Sequence, residues 1–144
     1  MALNLQEANS GNIAFASGAL AAGTSAGTFK TTATVTYIID GVFKSKAATD
    51  NLTFTSGHTA LANYQACVFA VWLDASGNVT TTQGPIVSAD QTCPTPPVAG
   101  AKAVIGLIKV STSTSQTFTP GTSTLGAGNT ASYVNTATMP TAAQ

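Results

Sequence analysis

The chain contains no arginine and a single histidine, and only 7 % of its 144 residues are charged. Ordinary domains carry about 25 %. Five lysines balance five acids, so the formal net charge is zero. Without arginine there is no bidentate fork for phosphate or guanine, and Lys30, Lys44, Lys46, Lys102 and Lys109 form no run. Nucleic acid is therefore excluded as a partner. No apolar stretch reaches the length of a membrane-spanning helix, and no membrane partner is expected. The first residues, Met1–Glu7, lack the positive start of a signal peptide. The expectation is synthesis in a host cytoplasm, with Cys67 and Cys93 as free thiols.

What the chain does contain is threonine, alanine, serine and glycine, at a mean hydropathy of +0.24. That is too apolar for a disordered segment. The length suits one domain with a real core. A surface so short of charge is poorly protected against association, which suits a protein whose task is to be bound in an assembly.

The organising stretch is Gln65–Leu73, a run of bulky apolar residues without glycine, proline or charge. As a strand it turns Cys67, Phe69, Val71 and Leu73 one way and Ala66, Val68, Ala70 and Trp72 the other. Both sets are apolar, so both faces must be covered. Asp74–Asn78 reads as a turn, and 79–83 returns as a more polar strand that Gly84-Pro85 stops. A second hairpin runs through 34–39, turns at Asp40-Gly41 and leaves through 42–46. Asp-Gly suits a type I′ turn, which pairs Ile39 with Val42, Ile38 with Phe43 and Tyr37 with Lys44. Lys44 and Lys46 suit a sheet edge.

Residues 52–61 are echoed at 116–125, where Thr, Phe, Thr, Gly and Leu recur in matching places, which reads either as two equivalent strand-to-loop elements or as chance in so threonine-rich a chain. Thr92–Pro97 is a stiff extended connection into the apolar strand 103–110. Gly106 in that strand predicts a bulge or a close backbone approach. Residues 131–134 form a last strand, and the tail after Met139-Pro140 is frayed. The resulting expectation is an all-β, single-domain sandwich or barrel-like fold of short antiparallel strands over residues 29–144. Residues 1–28 precede it as an N-terminal arm or lead-in strand, with Ile13, Phe15 and Leu20 as its scattered apolar members.

Catalytic patterns are few and unsupported. Gly23-Thr24-Ser25-Ala26-Gly27 matches G-x-S-x-G, but a nucleophile elbow needs a buried strand before it and a helix after it. Gly126–Ala131 fits a loose dinucleotide pattern with no βαβ unit around it. Asp74, Ser76 and Asn78 alternate like the start of a calcium loop that lacks its later acids. His58 has no carboxylate or second histidine near it in sequence, and one histidine with two distant cysteines makes a poor metal set. Asn51-Leu52-Thr53 and Asn78-Val79-Thr80 match glycosylation acceptors, a match that threonine-rich sequence produces by chance. No enzyme, metal or cofactor is expected.

Four stretches in order carry a resemblance: Thr36–Gly41, Leu73–Val79, Val104–Val110 and Thr117–Thr122. Over residues 30–140 the chain resembles small virion proteins of tailed bacteriophages, of the capsid decoration (cement) or head-fibre type. The resemblance implies a β-rich domain on the outside of a capsid, bound to the major capsid protein as a symmetric oligomer. It carries no functional residue across and does not cover the N-terminal segment. Two further expectations follow. The capsid contact falls on Ile13, Phe15 and Leu20, and the homo-oligomer is a trimer, since a capsid lattice offers threefold positions. The alternative reading is a head- or tail-fibre module that contacts host-surface glycans. Such binding wants exposed aromatics, whereas Trp72, the one tryptophan, is expected in the core.

Overall fold

In a computed structural model, residues 11–137 and 144 are described. They hold eleven strands: β1 (Ile13–Ala14), β2 (Leu20–Ala22), β3 (Thr28–Thr31), β4 (Val35–Ile39), β5 (Val42–Lys46), β6 (Thr49–Thr53), β7 (Gln65–Leu73), β8 (Val79–Gln83), β9 (Val87–Ser88), β10 (Ala103–Thr112) and β11 (Asn129–Val134). There is no helix among the described residues. All pairings are antiparallel and make three sheets. Over the described residues the fold is all-β and sandwich-like, without a closed barrel.

The central sheet runs β11-β10-β7-β8, with β9 continuing the β8 edge along β7. Gly84-Pro85 ends β8 as anticipated, yet pairing to β7 resumes at Val87. Every residue of β7 from Ala66 to Leu73 is buried. Its two apolar faces meet two different cores, divided as the alternation predicts. Cys67, Phe69, Val71 and Leu73 face the larger core, with Phe29, Tyr37, Phe54 and Phe118. Ala66, Val68, Ala70 and Trp72 face the smaller one, covered by Cys93, Val98 and Ala99 of the long connection. A proline-rich segment can serve as such a cover because it needs no ladder of its own. Trp72 is fully buried, and its Nε1–H donates to Thr82 Oγ1 at 2.8 Å.

β10 lies beside β7, and its register shifts between Val104 and Gly106. The bulge reverses which residues point where: Ala103 and Ile105 before it share a core with Ile108 and Val110 after it. A Cβ on Gly106 would lie 2.6 Å from Leu20 Cδ1, and the φ of +156° is itself unfavourable for a side chain. Both readings of Gly106, bulge and close approach, hold.

Two three-stranded sheets, β1-β4-β5 and β2-β3-β6, complete the domain over the larger core. Residues 13–14 and 20–22 are strands of these sheets. Residues 1–10 lie outside the described residues. So do residues 138–143, where most of the frayed tail was expected. The echo between 52–61 and 116–125 is not a pair of equivalent strands. It brings Phe54 and Phe118 into one aromatic cluster, ring centroids 6.0 Å apart, beside the isolated bridge Leu61–Phe118.

Candidate interaction surface

The β4–β5 hairpin turns at Asp40 (φ +52°) and Gly41 (φ +76°), both left-handed as a type I′ turn requires. Its register is the anticipated one: Ile39 with Val42, Ile38 with Phe43, Tyr37 with Lys44. Asn12, buried beside the turn, accepts the Asp40 N–H at 3.1 Å and ties β1 to the hairpin. β1 pairs Ile13 with Ile38 and Ala14 with Tyr37. Cross-strand partners share a face. Ala14, Tyr37, Ile39 and Val35 therefore point to the core, and all four are buried.

The opposite face carries Ile13, Ile38 and Phe43 in one row across three strands, with Phe15 just past the end of β1. The Phe15 N–H donates to the Thr36 carbonyl at 2.9 Å, holding the strand to the sheet. Phe15 is 57 % exposed and Phe43 70 %. Their rings lie nearly parallel, 10° apart, at a centroid separation of 5.8 Å. Val42, next to Phe43 in β5 but turned to the other face of the sheet, is also exposed. Of the four exposed large apolar side chains among the described residues, three, Phe15, Val42 and Phe43, belong to this sheet or its border and only Tyr64 lies elsewhere, and a cluster of that kind marks an interaction surface.

The three residues expected to touch a partner divide. Ile13 and Phe15 lie on this face. Leu20 does not: it is only 4 % exposed, its side chain set against Gly106 of β10. That placement corrects its assignment as a contact residue. Sequence reasoning missed Phe43 and Ile38. A signal was present in the hairpin, where apolar pairs occupy both faces (Ile39 with Val42, Ile38 with Phe43). A two-stranded ribbon can turn only one face to its own core.

The motif residues serve structure. Gly23–Gly27 is the turn between β2 and β3. There the Ser25 N–H donates to Asn51 Oδ1 at 2.9 Å, and the Ser25 carbonyl accepts the Thr28 hydroxyl at 2.7 Å. Asp50 accepts the Thr24 hydroxyl and the Thr24 and Asn51 N–H groups, which hold its carboxyl below the usual range. Asp74 accepts the N–H groups of Ser76 and Asn78 and the Asn78 amide, filling its oxygens from its own turn. Desolvation opposes ionisation of Asp74, and these hydrogen bonds outweigh it, so its pKa is lowered.

His58 is half-buried, its Nε2 2.8 Å from Thr81 Oγ1 and its ring 5.4 Å from that of Phe69. Burial lowers its pKa. Cys67 and Cys93 are both buried and free, one in each core. Burial pushes the Cys67 thiol up to about 11. Among the described residues no group of three His, Cys, Asp or Glu side chains is placed to hold a metal ion. No helix among them is long and apolar enough to cross a membrane. Compared with protein-family models, curated proteins and solved structures, the chain finds no significant match in sequence or fold.

Proposed function

We propose that the protein is a non-enzymatic structural protein of a tailed-bacteriophage virion, binding the outside of the major capsid lattice through the outer face of β1-β4-β5. The observation that carries the reading is the exposed, parallel pair Phe15 and Phe43 with Ile13 and Ile38 beside it. A sheet face that served only solubility would carry polar side chains there. The resemblance of residues 30–140 to decoration proteins supplies the partner.

Magnitudes favour many weak contacts over one strong one. An aromatic side chain presents about 200 Å², so the two rings at their observed exposures leave about 250 Å² open. At about 25 cal/mol per Å² that area is worth about 6 kcal/mol on burial. Association itself costs about 4–15 kcal/mol. The pair is a hot spot and not a whole interface, which buries about 800 Å² on each side. A homo-oligomer, a trimer on threefold lattice positions, raises the effective affinity by linking several such contacts.

The test is co-sedimentation with undecorated capsids. Phe43→Asp and Phe15→Asp should each lower capsid binding at least tenfold while leaving the sedimentation of the free protein unchanged. Retained binding by both variants removes the face from the reading. A truncation starting at Thr28 would not test the face, because it deletes β1 and β2 with the buried Leu20.

The exposed ring pair also favours the second reading, a fibre module on which a sugar ring stacks. An oligosaccharide binding screen with wild type and Phe43→Asp separates the two.

A further inference from the structure

The free edge of β5 is unusual for what it shows. Among the described residues β5 is the outer strand of its sheet and pairs only with β4. The two-residue turn makes Ile39–Val42 the closing pair, so Val42, Lys44 and Lys46 direct their peptide groups toward β4. Phe43 and Ser45 direct theirs outward. The bond from the Phe15 N–H to the Thr36 carbonyl agrees with this alternation: Thr36, the partner of Ser45, turns its carbonyl to β1 and away from β5. Among the described residues the N–H and C=O groups of Phe43 and Ser45 therefore form an open ladder edge.

Side chains on this edge are not those of a merely solvated strand. Phe43 and Val42 are exposed, on opposite faces. Lys44 and Lys46 stand two residues apart on the Val42 face, half-buried, opposite Tyr37 and Val35. Among the described residues neither lysine has a carboxylate partner. These are two of the chain's five cations, on one strand of a protein with no arginine.

The geometry points to the β5 edge as a strand-addition site for an extended partner segment that alternates carboxylates with apolar residues. Added beside β5, such a segment would place carboxylates two residues apart against Lys44 and Lys46 and its apolar side chains against Phe43. Main-chain hydrogen bonds would supply attachment, and alternate side chains would supply selection. Opposite charges facing across strands are favourable, and like charges are not. The same rule argues against a second copy at this edge. The antiparallel self-pairing that uses all the open groups sets Phe43 against Ser45 of the copy. It thereby places Lys44 directly opposite Lys44. The lysines thus reject self-pairing and admit an acidic strand. In the capsid reading, on which the biological setting rests, the major capsid protein would offer that strand.

The probe is a fluorescein-labelled heptapeptide of alternating valine and glutamate, with a valine–lysine peptide as its counterpart. Anisotropy at low ionic strength should show the acidic peptide binding at least tenfold more tightly, with the preference shrinking as salt rises. Lys44→Glu/Lys46→Glu should reverse the preference. Ser45→Pro removes an outward N–H that β4 does not use, and should abolish binding of both peptides at a near wild-type melting temperature. Should that variant fail to fold, the charge reversal decides alone. Equal binding of the two peptides, or a preference that survives charge reversal, overturns the assignment. So does a wild-type dimer that Ser45→Pro converts to monomer, since the edge would then be occupied by a second copy. Capsid binding lost in Phe43→Asp but kept in Lys44→Glu/Lys46→Glu would overturn the edge site while leaving the proposed function standing.

Discussion

Gly106→Ala should be among the most damaging single-methyl additions in this protein. The new Cβ would lie 2.6 Å from Leu20 Cδ1, 3.0 Å from Leu20 Cγ and 3.3 Å from the Val134 carbonyl oxygen. Leu20 is buried in the larger core, where a shift away from the new methyl must displace other packed side chains. Overpacking of this kind costs about 1–3 kcal/mol. The backbone at φ +156° adds strain on the order of 1 kcal/mol for any residue with a side chain. The sum is about 2–4 kcal/mol. For a domain of this size that lowers the melting temperature by about 6–12 °C. Urea unfolding should show a lower midpoint at an unchanged slope. The contact is tested by a double-mutant cycle with Leu20→Ala. Alone, that truncation should cost about 2–5 kcal/mol. In the Gly106→Ala background it should cost at least 1 kcal/mol less, because it removes the clash. Strict additivity, or a Gly106→Ala variant within 0.5 kcal/mol of wild type, would refute the claim that β2 is locked against the β10 bulge.

Three further outcomes are expected. Burial holds the Cys67 thiol neutral, with its pKa raised from 9.0 to about 11. The unfolded chain therefore releases this proton first as pH rises, and stability should fall by about 2–3 kcal/mol between pH 9 and 11. Denaturation curves at several pH values should show that slope flattened in Cys67→Ala, and thiol reagents should label native Cys67 far more slowly than the unfolded chain. His58 is shifted the other way, below its ordinary 6.5, by burial. The unfolded state then binds the proton more readily, so stability present above pH 6.5 should be lost on acidification. The His58→Phe variant should lack that acid limb, and an imidazole that titrates in the folded protein by NMR at or above 6.5 contradicts the assignment. Phe43→Asp, at 70 % exposure, should change unfolding free energy by less than about 1 kcal/mol. A larger loss by calorimetry would make Phe43 part of the fold and not of a binding surface.

Local pattern carried much of the architecture. The two-faced apolar run 65–73 has two cores to meet, and alternation alone assigns each side chain to its face. Asp40-Gly41 fixed the hairpin register because only left-handed residues close so tight a turn. Gly106 marked its bulge because a close backbone approach leaves no other residue. Each of these is decided within a few residues, where sterics and period act directly.

The site was legible only in part, and the reason is the range of the interactions involved. Ile13, Phe15 and Leu20 look alike in sequence: isolated apolar residues in a small-residue segment without period. Leu20 is core because β10 bulges toward it from 86 residues further along the chain. Phe15 is surface because β1 pairs with β4 and turns Ala14 inward instead. His58 likewise found Thr81 across 23 residues. Burial is a property of what arrives from elsewhere, and a strand's own period says which residues share a face but not which face meets the core. The sequence by itself determined β4, β5, β7, β8, β10 and β11 and the turns of the β4–β5 and β7–β8 hairpins, whereas β2, β3, β6 and β9, short and poor in bulky apolar residues, became strands only through partners brought by the fold. Only the tertiary structure decided that Ile13, Phe15, Ile38 and Phe43 form one exposed face, because that face exists only once β1 is added to a hairpin whose other side is already buried.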